Sequence, residues 1–180
     1  TLRVWAKDAA GNRSETAAYT LKYDVHAPDV SAVFSLSSKD YSPFYAKQRT
    51  IDIKVKDDLF KEYVDNTRES EEKAGEANTW TGKMTAGTNV SIETKIAYTH
   101  GSAPRFEGVW KCFEDTDGHP TWQGKYTYGT ADGGASRDGD NYTLCITATD
   151  EAGNVTETDA KGNCTKNGET QYADEGQTIP

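Results

Sequence analysis

Residues 1–16, TLRVWAKDAAGNRSET, return at 143–158 as TLCITATDEAGNVTET. The copies are identical at Thr1, Leu2, Ala6, Asp8, Ala10, Gly11, Asn12, Glu15 and Thr16, nine of sixteen positions, and conservative at Val4/Ile146 and Ser14/Thr156. A fold for this chain must accommodate the same unit near both ends. Leu2, Val4, Ala6 and Asp8 alternate with Arg3, Trp5 and Lys7, the period of two that sends successive side chains to opposite faces of a strand. Tyr142, Leu144, Ile146, Ala148 and Asp150 repeat that alternation and end on the same Asp before the same Ala-Gly-Asn. Gly11 and Asn12, like Gly153 and Asn154, enter positive-φ conformations cheaply, and the preceding Asp can accept hydrogen bonds from turn amides. The unit is a β-hairpin, and the bland role of Asp8 and Asp150 is to cap its turn.

Ala18–Tyr23 returns as the second strand of the first hairpin and runs into Asp24-Val-His-Ala-Pro28. Pro28 lacks an amide donor and biases Ala27 toward extended backbone, as a hand-over between modules requires. Strand patterns follow at 30–36, 50–57, 90–99, 107–113 and 121–128, separated by turns rich in Gly, Pro and Asp. Residues 58–77 read as a strand followed by a polar loop, and 130–140 as a loop leading to the final hairpin. Only 34% of residues are hydrophobic, yet 10 Tyr, 5 Phe and 4 Trp accompany abundant Thr, Gly, Asp and Asn, which suits pleated strands and tight turns. The expected class is all-β.

A net charge of −9 and the lack of any Lys/Arg run exclude the basic stripe that phosphate neutralisation needs, so nucleic acid is not an expected partner. No apolar stretch approaches the ~20 residues of a membrane-spanning helix. The opening TLRVWAKD is strand-like, as if cut from a longer protein, so a missing signal peptide says nothing about secretion.

The sequence Tyr142-Thr-Leu-Cys-Ile-Thr-Ala-Thr-Asp-Glu-Ala-Gly-Asn154, its copy at Leu2–Asn12 and the hand-over Asp24–Pro28 resemble the bacterial immunoglobulin-like (Big-type) modules strung in tandem along surface proteins, especially of Gram-positive bacteria. The match covers residues 1–57 and 138–158. The resemblance implies an immunoglobulin-like antiparallel β-sandwich whose sixth and seventh strands are the repeated hairpin. Residues 1–24 would then be the closing hairpin of a preceding module, 25–176 a complete sandwich with an insertion at about 65–137, and 177–180 a tail. It implies an extracellular location at the bacterial surface or in a secreted protein. The expected role is that of a non-catalytic spacer and adhesive module, whose partners are neighbouring modules of the same chain and a host or surface glycan or protein. The alternative is a glycan- or protein-binding sandwich attached to a secreted enzyme. Asp138–Tyr142 resembles a tyrosine corner, in which Tyr142 would bond back to backbone at the entry to the sixth strand. Two residues on, antibody domains carry a cysteine where this chain has Leu144. Cys145, one further, alternates away from the core.

Cys112, Cys145 and Cys164 allow one disulfide, which we expect to join Cys164 to Cys112 or Cys145. No catalytic or nucleotide-binding motif is found, His26, His100 and His119 are scattered through loops, and no enzyme activity is expected. Two sites are worth testing in three dimensions. Trp80, Trp110, Trp122, Tyr126 and Tyr128 could form an aromatic platform for sugar, although large rings in a sandwich are more often core. Asp24, Asp29, Asp57, Asp58 and Asp150 should gather at the end that meets the preceding module, where calcium could rigidify the joint. Phe113–Gly118 is not an EF-hand loop, because Phe113 falls on its first ligand position.

Overall fold

The computed structural model describes residues 1–20, 23–34, 49–98, 104–128, 142–158, 164–166 and 169–171. Strands dominate because alternating and β-branched segments are separated by turn residues. β1 (Leu2–Val4) and β2 (Ala17–Tyr19) pair as an isolated two-stranded sheet, exposed along both strands. The remaining strands, numbered in chain order, form two antiparallel sheets. One has the order β3 (Asp29–Phe34), β4 (Arg49–Lys56), β11 (Pro120–Tyr128), β10 (Trp110–Glu114) and β5 (Thr67–Arg68), with β9 (Arg105–Phe106) also paired to β11. The other has the order β15 (Glu169–Gln171), β14 (Cys164–Lys166), β13 (Val155–Thr158), β12 (Tyr142–Thr149), β8 (Val90–Tyr98), β7 (Thr79–Ala86) and β6 (Glu71–Ala74). The chain is therefore all-β, and its sheets pack as a sandwich around one core.

Period-two alternation decides what enters that core. Ile51, Ile53 and Val55 on β4 face Met84, Ile92 and Ile96 on β7 and β8 and Leu144, Ile146 and Ala148 on β12. Each of the Ile, Val, Leu and Met side chains contributes about 1.5–3 kcal/mol by leaving water. Phe106 stacks on Trp110 at 5.5 Å, and the Trp80 and Tyr126 rings meet edge to face at 5.2 Å. A Cβ on Gly124 would lie 2.7 Å from the Trp110 indole, so only glycine lets β11 pass beneath that ring.

Several expectations are revised. Residues 58–63 form a 3-10 helix rather than a strand, because Asp57 caps it by accepting from the Leu59 amide at 2.8 Å and Phe60 and Tyr63 turn into the core. The polar stretch after it forms β5 and β6, passing from one sheet to the other. The segment 65–137 is not an addition to a finished sandwich, since β7, β8, β10 and β11 supply central strands of both sheets and many core side chains. The strand neighbours β3-β4-β11-β10 and β8-β12-β13 run in the order of the seven-strand ABED and CFG sheets, with β5, β6 and β7 added ahead of the strand that lies beside β12.

The disulfide expectation is also overturned. Cys112 is a free thiol buried in the core, its Sγ 3.8 Å from the Phe60 carbonyl, and burial pushes its pKa up to about 11. β13 lies between β12 and β14, which sets Cys145 and Cys164 two strand spacings apart, about 9–10 Å and beyond the reach of a disulfide. The Tyr142 and Cys164 side chains lie outside the described residues, and the tyrosine corner with them.

Candidate metal centre at the module entry

The repeated turn has the same geometry twice. Asp8 Oδ1 accepts from the Asn12 amide and Oδ2 from Asn12 Nδ2, both at 2.8 Å, and Asp150 does the same with Asn154, again at 2.8 Å. Gly11 and Gly153 occupy the positive-φ corner at 94° and 90°. The hydrogen bonds from the Asn12 side chain and backbone hold the Asp8 carboxyl below its ordinary range.

The surroundings of the two turns differ. Asp150 continues the inward phase of Leu144, Ile146 and Ala148, and Asp57 continues that of Ile51, Ile53 and Val55. Alternation thus carries two aspartates into the mouth of the core, where Asp150 is fully buried and Asp57 is 9% exposed. Asp24 approaches from the hand-over segment, and one carboxylate oxygen from each of the three lies within 4.8 Å of the others. Burial, opposed by the Leu59 amide and reinforced by the Asp150, Asp24 and Asp58 carboxylates, raises the Asp57 pKa to about 6.

The entry segment is stitched to this end of the sandwich. Asn154 Nδ2 also donates to the Asp24 carbonyl at 3.3 Å, and the Thr156 hydroxyl donates to the Pro28 carbonyl. Two further contacts brace the Asp150 turn. Tyr63 Oη donates to Glu151 Oε2 at 2.8 Å, and Asn89 Nδ2 donates to the Glu151 carbonyl at 3.0 Å. Burial, with the hydrogen bond to Glu151, pushes the Tyr63 pKa up to about 12. Of these partners of the turn, only the nearness of Asp24 was expected from the sequence. Tyr63 and Asn89 carry no local signal, because only the tertiary fold brings them to Glu151.

The structure unites three of the five aspartates proposed from sequence. Asp58 turns outward to His119 Nδ1 at 3.1 Å, and Asp29 lies exposed on β3, outside the cluster. The loop resembling an EF-hand closes on itself, as Asp115 Oδ1 accepts from the Asp117 amide at 3.0 Å and the His119 amide at 2.8 Å.

The aromatic platform is not formed. Trp80, Trp110, Trp122 and Tyr126 are 4% exposed or less, since each lies on the inner phase of its strand and packs between the sheets. Tyr126 is further anchored by the Thr94 hydroxyl, which donates to its oxygen at 2.7 Å. The Tyr128 side chain lies outside the described residues. Among the described residues, no helix is long and apolar enough to cross a membrane.

The donor set suits a hard cation. It consists of carboxylate oxygens without thiolate or imidazole, and an ion held at the 2.3–2.6 Å typical of calcium can bridge oxygens up to about 5 Å apart. No protein-family model, curated protein or solved structure matches this chain, so these residues carry the functional reading by themselves.

Proposed function

We propose that this chain is a non-catalytic β-sandwich module of an extracellular bacterial protein, one of a tandem series, that holds its neighbours at fixed spacing. A divalent cation of the calcium class, held by Asp24, Asp57 and Asp150, stiffens its joint with the preceding segment. The observation that carries this reading is the position of Asp24. The linker itself supplies one carboxylate to a pair already buried at the mouth of the sandwich.

Asp57 and Asp150 approach each other at the end of the core, where burial first, and then the neighbouring Asp150 and Asp24 carboxylates, raise the Asp57 pKa. A cation would neutralise that repulsion and couple the linker's direction to the sandwich. Three carboxylates leave part of a calcium shell to backbone carbonyls and water. The repeat supports the tandem arrangement, because the same turn appears once with a hand-over segment after it and once with the sandwich around it.

The test is thermal unfolding of the full chain in calcium, in magnesium and in chelator. Ligand at 100 times its dissociation constant stabilises by about 2.7 kcal/mol. Calcium should raise the midpoint of the wild type and leave Asp150→Asn unmoved. Coincident melts of the wild type in calcium and chelator would refute the cation.

A further inference from the structure

We propose that the outer face of the β3-β4-β11-β10-β5 sheet binds an acidic polysaccharide that carries a carboxylate on every second sugar. The proposal goes beyond the spacer reading and does not depend on the cation.

Strand register sets the residues of this face side by side. Ser31 stands opposite Lys54, Lys54 opposite Gln123, Gln123 opposite Lys111 and Lys111 opposite Thr67, so one row crosses all five strands. The row lies in the outward phase, because the alternate residues Ile53, Val55, Trp110, Cys112 and Trp122 fill the core. Gln123 is half-buried and the other four are exposed. At one strand spacing per step the row is about 19 Å long. Every member offers a hydrogen-bond donor, two are cations and none is a carboxylate.

The chain as a whole carries a net charge of −9, so a row of this kind runs against its composition. The flanking lysines have acids of their own. Lys56 Nζ lies 3.9 Å from Asp115, and Lys125 Nζ lies 3.7 Å from Asp52. Among the described residues Lys54 and Lys111 have no carboxylate within ion-pair distance. The outer face of the opposite sheet is balanced by contrast. Lys83 stands there between Glu71 and Glu93 across its two ladders, and Lys73 and Lys95 share the face with Glu157 as well. Of the two outer faces, only the first has cations left over.

The spacing selects the ligand. Along Ser31, Lys54, Gln123, Lys111 and Thr67 neutral and charged side chains alternate, and the two ammonium groups spring from strands two spacings apart, about 9–10 Å. Phosphates on a nucleic-acid strand follow one another every 3.4 Å or so along the duplex, and side chains on one face of an extended peptide recur at about 6.8 Å. Both place charge more densely than this row accepts. A pyranose ring with its linkage is about as long as one strand spacing. A chain acidic at every second sugar therefore brings its carboxylates to Lys54 and Lys111 and its neutral rings to Ser31, Gln123 and Thr67, whose groups both donate to and accept from hydroxyls. Phe113, half-buried two residues beyond Lys111 on the same face, adds an apolar edge for sugar C–H groups. None of these residues belongs to the aromatic set that fills the core. Each exposed contact is weak and screened by salt, so repetition along a tandem series supplies the strength of attachment.

The experiment is a titration of the full chain followed by amide chemical shifts, at low salt and in chelator so that the outcome is independent of the cation. The probes are a hyaluronan oligosaccharide, with uronate at alternate sugars, a neutral dextran oligosaccharide of similar length, and a poly-glutamate peptide. Hyaluronan should shift the amides of Ser31, Lys54, Lys111, Gln123 and Thr67, and dextran should not. The double variant Lys54→Gln/Lys111→Gln, with both changes on exposed positions, should melt as wild type does and bind hyaluronan about tenfold more weakly. Lys73→Gln/Lys95→Gln removes the same charge from the opposite sheet and should leave binding within about twofold. Three results would overturn the proposal: no response to hyaluronan, an equal response to dextran, or equal weakening by the two double variants. Tighter binding of poly-glutamate than of hyaluronan would make an acidic protein the partner and overturn it as well.

Discussion

The Asn154 side-chain amide donates to the Asp24 carbonyl at 3.3 Å, across 130 residues of sequence. The same nitrogen donates to Asp150 Oδ2 at 2.8 Å. One side chain thus shapes the turn and fastens the linker to the sandwich. Asn12, its counterpart in the first copy, makes the turn bond alone among those seen, at the end of an exposed hairpin.

That asymmetry predicts different costs for the same substitution. Asn154→Ala removes a charge-assisted bond to a buried carboxylate and a bond to the linker, and should cost about 2–3 kcal/mol in urea unfolding. Asn12→Ala should leave the main transition of the chain within about 0.5 kcal/mol of wild type. Equal effects would show that the linker bond contributes nothing.

The Asp57 carboxyl predicts an unusual pH dependence in chelator. Its folded pKa of about 6 lies above the ordinary 3.8, so the folded state binds the proton more tightly than the unfolded state. Folding is then favoured as pH falls from about 7 toward 4, and that gain is lost as pH rises through 6. A shift of about two units corresponds to up to about 3 kcal/mol. Urea unfolding at pH 7, 6, 5 and 4 should follow this rise in wild type and show a flatter profile in Asp57→Asn.

Gly124 predicts a steric failure. A methyl group there meets the Trp110 ring at 2.7 Å, and neither the central strand β11 nor a fully buried indole can yield cheaply. Gly124→Ala should destabilise the sandwich by about 2–3 kcal/mol. An unchanged midpoint in denaturant would show that the ring has room to tilt.

Tryptophan emission separates core from surface. Trp80, Trp110 and Trp122 are buried, while Trp5 is 51% exposed. Acrylamide should quench one component of the emission, and Trp5→Phe should remove that component. Added oligosaccharide should leave the remaining emission unchanged, because the rings once considered for a sugar platform lie between the sheets.

Local pattern made much of the frame legible. Leu2–Asp8 and Tyr142–Asp150 read as strands because alternation is a property of neighbouring residues, and Ala-Gly-Asn read as a turn because glycine alone takes the corner cheaply. The 3-10 helix at 58–63 was missed because Leu59, Phe60, Tyr63 and Val64 fit either period over so short a run, and the Asp57 cap decides it. The extent of the insertion is illegible for a related reason: a strand's neighbour in a sheet is chosen by long-range pairing, so no local pattern within 65–137 separates β8 and β11, which pair with β12 and β4, from the added β5, β6 and β7.

The aspartates show where the two kinds of information divide. The sequence by itself determined that Asp57 and Asp150 share the phase of the core residues preceding them, because period two is set by backbone geometry. It also determined both capped turns, whose bonds close within five residues. Only the tertiary structure decided that this shared phase points inward, that Asp24 joins the pair, and that Asp29 and Asp58 do not. Those outcomes depend on which strands stand side by side and how the sheets face each other, and residues up to 126 positions apart, from Asp24 to Asp150, settle them together.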